Sequence, residues 1–78
     1  MKQENLTLTR YELEDGFYVE VLPRRGETAF WLGHRDCDVK ELAFAASDAF
    51  APPRQWETMI RENISDYLGD FREIYLEE

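Results

Sequence analysis

Residues 15–33 read DGFYVEVLPRRGETAFWLG, and this stretch decides the fold class of the chain. Apolar residues alternate with others over 17–22, and a period of two is typical of a β-strand with one buried face. Asp15–Gly16 precedes this strand and tolerates the positive φ angles of a hairpin turn. A second turn around Gly26 leads to another strand at 28–33. The stretch therefore predicts two adjacent antiparallel strands.

The residues before this stretch predict a third strand. Over 7–13, Thr9, Tyr11 and Leu13 fall on one face, because side chains alternate along a strand. Three strands joined by short turns form an antiparallel meander, which we expect to span residues 6–34.

The spacing of apolar residues becomes helical after the meander. Asp38 can accept hydrogen bonds from the free backbone amides at a helix start, and Glu41 three residues later completes a capping box. The apolar residues at helical spacing here are Val39, Leu42, Ala43, Ala46 and Phe50. The pattern predicts a helix over 38–51, which Pro52–Pro53 ends.

A stronger helical pattern covers 53–77. Its apolar and aromatic residues recur mostly at steps of three and four: Trp56, Ile60, Ile64, Tyr67, Leu68, Phe71, Ile74 and Tyr75. Gly69 is the weak point, because glycine costs about 1 kcal/mol relative to alanine in a helix interior. We expect one long amphipathic helix. The alternative is that Gly69 ends it and that 71–76 forms a fourth strand.

Together these elements predict an α+β fold, a three-stranded antiparallel β-meander followed by two α-helices (β-β-β-α-α) packed on one sheet face. Residues 1–78 are expected to form a single small acidic domain, since a second domain would need more chain. A domain of this size buries only about 60% of its unfolded surface. Pairing of two copies would add stability, so a homodimer is one expected state.

The composition excludes several classes of protein. With 17 acidic residues against 9 basic ones, the formal charge is −8, whereas binders of nucleic acids or anionic membranes carry a basic patch. Cys37 is the single cysteine, so the disulfide framework of a small secreted domain is excluded. No stretch approaches the ~18 apolar residues of a membrane span, and the first residues do not resemble a signal peptide. We expect a cytoplasmic protein without direct nucleic-acid or membrane binding.

The run HRDCD at 34–38 contains four potential metal ligands. Structural zinc sites usually draw on two separated ligand pairs, and the chain has no other His or Cys. We therefore predict no metal and no cofactor. Catalysis by a nucleophile needs a base within hydrogen-bond reach, and no serine has a glycine-flanked elbow around it. The sequence predicts no catalytic residue and a protein that is not an enzyme.

The aromatic residues Trp31 and Phe44 are candidates for partner binding. Phe30 and Trp31 are adjacent in a strand, so they point to opposite faces and only one can enter a core on one side. Phe44 lies away from the apolar stripe of the helix predicted over 38–51. Either that helix is sandwiched between the sheet and the long helix, or Trp31 and Phe44 bind a partner, since aromatic residues are enriched at interfaces.

The outer side of the long helix carries a row of acidic residues, the acidic stripe: Glu62, Asp66, Asp70, Glu73 and Glu77. At about 100° per residue they fall within an arc of roughly 80°, opposite the apolar residues. Like charges four residues apart repel, and a merely solvated helix usually mixes signs.

The acidic stripe indicates a non-enzymatic protein-interaction module that docks on a basic surface of a partner protein, as an inhibitor or a nucleic-acid mimic. Its five charges over about 22 Å give a third of the charge density of duplex DNA. The alternative is a structural or assembly protein that dimerises through exposed aromatic residues, with the acidic face serving only solubility.

Overall fold

The structure is a computed structural model and describes residues 8–77. The strands are β1 (Thr9–Glu12), β2 (Phe17–Arg24), β3 (Glu27–His34) and β4 (Cys37–Ser47). They form one antiparallel sheet in the order β1-β2-β3-β4. The helical elements that follow are α1 (Trp56–Asn63), α2 (Ser65–Phe71) and a π-helical turn (Arg72–Leu76). The predicted α+β class is confirmed, with four strands where three were predicted.

One face of the sheet, the covered face, packs against the helices. Val19 pairs with Leu32 and Val21 with Phe30, and all four side chains are almost fully buried. They join one core cluster with side chains from the helices: Trp56, Ile60, Ile64 and Phe71. The period of two in β2 and the period of three or four in the helix therefore meet in a single apolar layer, as the sequence predicts.

The first predicted turn has the backbone that its sequence favours. Asp15 and Gly16 have φ angles of 62° and 85°. Glycine adopts this region without strain, and aspartate tolerates it better than most residues. The turn brings β1 back alongside β2, with Tyr11 opposite Val19. Residues 6 and 7 of the predicted sheet lie outside the described residues.

The long helix is confirmed over most of its predicted range. Ile64, between α1 and α2, keeps helical angles of φ −77° and ψ −23°, so 56–76 forms one helical rod, the C-terminal helix. Gly69 lies inside it, and the alternative strand at 71–76 is wrong. The helix begins later than predicted, at Trp56 after a 3-10 turn over Pro53–Gln55, and ends at Leu76. No helix among the described residues is both long enough and apolar enough to cross a membrane.

The helix predicted over 38–51 is wrong, because Cys37–Ser47 is the fourth strand. Asp38 therefore caps no helix. The register of β4 against β3 shifts between Leu42 and Phe44 and again between Cys37 and Glu41. Each shift inserts extra residues and breaks the alternation of side chains. The physical reason for the strand is that β3 has core residues near its middle, so the backbone N–H and C=O groups along the outer edge of β3 need partners. Strand β4 supplies these partners.

Candidate functional site

The acidic stripe lies on the solvent side of the C-terminal helix, and all five of its side chains are exposed. The opposite side of the helix places Ile60, Ile64 and Phe71 in the core. Four stripe residues are helical. Glu77 follows the last helical residue with extended angles of φ −89° and ψ 142°, and its N–H donates to the carbonyl of Arg72. Glu77 thus lies at the helix end rather than in the helical row.

The arginines of the same segment point away from the acidic stripe. Arg61 Nη2 lies 3.0 Å from Glu57 Oε2, one turn earlier. Arg72 Nη2 lies 3.9 Å from Asp15 Oδ2 in the β1–β2 turn, and its guanidinium carbon is 5.1 Å from the centroid of the Phe17 ring. Within residues 8–77, therefore, no basic side chain forms an ion pair with the acidic stripe.

The acidic stripe is unfavourable for the helix that carries it. Glu62, Asp66 and Asp70 are spaced four apart, and like charges at this spacing each destabilise a helix by about 0.2–0.5 kcal/mol. Glu73 and Glu77 lie near the C-terminus, where the helix dipole already concentrates negative potential. Within the described part of the fold, the five carboxylates thus form no ion pair that would offset this repulsion.

The acidic residues near the middle of the sheet are, by contrast, paired. Glu20 is buried and accepts a hydrogen bond of 2.7 Å from Lys40 Nζ, and Arg10 Nη1 lies 3.8 Å from its other oxygen. The hydrogen bond to Glu20 raises the pKa of the Lys40 ammonium. Tyr75 Oη donates to Glu41 Oε2 at 2.5 Å, which raises the pKa of the Tyr75 phenol. Glu20 thus links β2 to β4 across β3, and Glu41 links β4 to the C-terminal helix.

The cluster around Glu20 was not among the predicted functional residues. Arg10 also stacks on the ring of Tyr18, with its guanidinium carbon 3.7 Å from the ring centroid. A signal for it was available, because Tyr18 and Glu20 alternate with the core residues of β2 and so point to the other face. The contact with Lys40 had no local signal, since it depends on the long-range register of the sheet.

The two candidate aromatic residues lie on opposite faces of the sheet. Phe44 is on the covered face, stacked on Phe30 with ring centroids 4.4 Å apart and close to Tyr67. Its predicted position on a helix is wrong, and it is half-buried. Trp31 lies on the other face, where its cross-strand neighbours are Glu20 and Leu42. Trp31 and Phe44 therefore do not form one aromatic surface.

The run at 34–38 contains the β3–β4 turn and contacts the β1–β2 turn through His34. The buried His34 ring has Nε2 2.7 Å from the carbonyl oxygen of Asp15, and its Nδ1 accepts from the backbone N–H of Asp36 at 3.1 Å. The ring also packs edge-on against Phe17, with centroids 4.7 Å apart. Both ring nitrogens are thus engaged in backbone contacts. In the part of the chain that the structure describes, no group of three or more His, Cys, Asp or Glu side chains is arranged to hold a metal ion.

Two open grooves lie beside the C-terminal helix, one along 61–72 and the other near its end. One, of about 440 Å³, has Leu13, Phe17, Ile64 and Leu68 among its lining, with Arg61 and Arg72 on the helix side. The other, of about 470 Å³, lies beside His34, Arg35 and Tyr75. Charged side chains in both linings form ion pairs, and His34 in the second groove contacts backbone groups. Neither groove presents a nucleophile held by a base, in the geometry that covalent catalysis needs.

Comparison with known proteins adds no assignment to these features. No family model, curated protein or solved structure matches the chain.

Proposed function

We propose that this protein is a non-enzymatic interaction module that docks its acidic stripe on a basic surface of a partner protein. The observation that carries the proposal is the helical row of four exposed carboxylates, with the exposed Glu77 at its end, none of which has a basic partner among the described residues. An exposed row of like charges can serve binding, because charges complementary to those of a partner steer association and select that partner.

The charge density of the acidic stripe is lower than that of a nucleic-acid duplex. Its five charges along about 22 Å reach a third of the density of duplex DNA. Asp15 and Glu12 add little to it, since they form ion pairs with Arg72 and Arg10. A module with this density can cover part of a basic, nucleic-acid-binding site and so inhibit it, without reproducing the full field of a duplex.

The test is the double variant Asp66→Lys/Asp70→Lys. Both side chains are exposed, and the substitutions make the pairs with Glu62 and Glu73 attractive while the pair between residues 66 and 70 stays repulsive, so thermal stability should stay equal or rise by a few tenths of a kcal/mol. Affinity capture from native cell lysate, followed by mass spectrometry, should recover a partner with the wild-type protein and lose it with the variant. The association rate for that partner should fall steeply as salt is raised.

The matched control is Glu14→Lys/Asp36→Lys, which makes the same change in charge at two exposed residues outside the acidic stripe and outside the open face. This control should keep the partner, because it leaves the acidic stripe intact. A stripe variant that still captures every wild-type partner would contradict the proposal. So would equal loss in both variants, since net charge alone would then explain binding.

The alternative, an assembly protein whose acidic face serves only solubility, makes a different prediction about salt. Association through apolar and aromatic side chains should persist at high salt, whereas docking of the acidic stripe should not. Because Trp31 and Phe44 lie on opposite faces, this alternative depends on the face that carries Trp31.

A further inference from the structure

The sheet face opposite the helices, the open face, carries a continuous apolar patch. Cross-strand partners point to the same side, so the register places these residues together in two neighbouring rows. One row contains Leu22, Ala29 and Ala45, and the next contains Trp31 and Leu42. Leu42 is 51% exposed and Ala45 is also exposed. No helix of residues 8–77 packs over this apolar patch, because the helices join the core on the covered face.

The border of the apolar patch is charged but balanced. The register and the contacts of Glu20 place three basic and three acidic side chains on the open face: Arg10, Arg24, Lys40, Glu12, Glu20 and Glu27. Most of them are already paired with one another across or along the strands. Arg10 contacts Glu12, Glu20 and the ring of Tyr18, and Lys40 contacts Glu20. These four charges can be covered without losing their partners, and the exposed Arg24 and Glu27 lie at the β2–β3 turn, at the edge of the face.

This balance indicates what can cover the apolar patch. The chain has a formal charge of −8, so two copies repel each other at most approaches. The six charged residues assigned to the open face sum to zero, and the acidic stripe lies on the helix side of the molecule. Two copies that met at their open faces would stack their sheets about 10 Å apart and keep both acidic stripes on the outside. The stripes would then be separated by more than the Debye length of about 8 Å at physiological ionic strength.

The size of the open face is sufficient for such a pair. The four strands have 4, 8, 8 and 11 residues, and at about 4.8 Å by 3.4 Å for each residue they give a face of roughly 500 Å². Two copies would bury about 1,000 Å², which is the lower limit for a specific interface. An apolar centre with a polar border is also the usual anatomy of a protein interface.

We propose that the apolar patch on the open face is a homodimer interface, in which two sheets pack face to face around Trp31 and Leu42. The pair is isologous, since the same patch serves both copies. It gives a molecule with one acidic stripe on each outer side. The proposal is independent of what the acidic stripe binds.

Sedimentation equilibrium of the wild-type protein over about a hundredfold range of concentration tests the proposal. We expect a reversible dimer whose dissociation constant does not rise at high salt, because apolar burial is not screened. Leu42→Asp and Leu42→Lys should each raise that constant by at least about tenfold, since both bury a charge without a partner. The two variants change the net charge in opposite directions, so an effect of net charge alone would shift their dissociation constants in opposite directions.

The matched control is Ile74→Asp, at a residue that is 62% exposed on the C-terminal helix, which packs on the covered face and not on the open face. This variant should dimerise like the wild type. A monomer at all concentrations, a Leu42→Asp variant that still dimerises, or an Ile74→Asp variant that also dissociates would overturn the proposal. A dimer that dissociates at high salt would also overturn it, because contacts between charged groups would then join the copies. Circular dichroism of each variant checks that the fold is intact, and the salt series needs no variant.

Discussion

Strand β4 and the C-terminal helix are two regions with similar apolar spacing and different ways of contributing to the fold. The helix buries large side chains, among them Ile60 and Phe71 at 1% exposure. No described side chain of β4 is buried to that degree, and Phe44 is only half-buried. The helix therefore contributes mainly apolar burial, whereas β4 contributes mainly backbone pairing along the edge of β3.

The bulges of β4 explain why its spacing resembles that of a helix. A bulge adds one residue to a strand, so the step between side chains on one face becomes three instead of two. Glu41, Phe44 and Ala46 thus share the covered face, at steps of three and two. Leu42 and Ala45 share the open face, three residues apart. Steps of three in a short segment can therefore arise from a bulged strand as well as from a helix.

The largest test of this comparison is the same substitution in both regions. Phe71→Ala should lower the free energy of unfolding by about 3–5 kcal/mol, since it empties a fully buried site. Phe44→Ala should cost roughly half as much, because the ring is half-buried and stacks mainly on Phe30. Urea denaturation followed by circular dichroism measures both values. If Phe44→Ala were the more damaging change, burial by β4 rather than by the helix would dominate the core.

Two glycines provide a test of intermediate size. A Cβ atom at Gly33 in β3 would lie 2.4 Å from Cζ of Tyr18, so the ring would have to leave Arg10. Gly33→Ala should therefore destabilise the protein by about 1–3 kcal/mol. A Cβ atom at Gly69 in α2 would meet nothing within 4 Å, so Gly69→Ala should stabilise it by about 1 kcal/mol. Thermal denaturation of the two variants should shift in opposite directions; equal shifts would contradict the placement of one glycine.

The smallest test exchanges alanine and threonine. Ala45 in β4 and Thr58 in α1 are both exposed. Threonine favours strands and alanine favours helices, so Ala45→Thr and Thr58→Ala should each stabilise the protein by about 0.5 kcal/mol. Denaturation at low protein concentration removes any contribution from dimerisation. Destabilisation by Ala45→Thr would indicate that this segment is not a strand in solution.

Much of the fold follows from local patterns. The alternation in β2 and the Asp15–Gly16 dipeptide predict the first hairpin, and the apolar spacing over 56–76 predicts the helix. The strand at 37–47 could not be predicted in the same way, because bulges interrupt the alternation of its side chains between the two faces of the sheet. What decides its structure is the unpaired edge of β3, which is a tertiary requirement.

The candidate site was predictable to a similar extent. Exposure of Asp66 and its neighbours follows from helical spacing opposite an apolar face. The position of Phe44 could not be derived, because it depends on the bulge that precedes it. The apolar patch depends on the register of four strands, which brings together Leu22 and Ala45 although no local pattern links them.

The order of strands in the sheet has a consequence for the kinetics of folding. Every strand pairs with its neighbour along the chain, so the sheet can grow by successive hairpins, each of which forms in about 1–10 μs. The contacts of Phe71 with Phe17 and of Tyr75 with Glu41 instead close long loops. Loop closure carries an entropic cost before such contacts form, so docking of the C-terminal helix is expected to limit the folding rate.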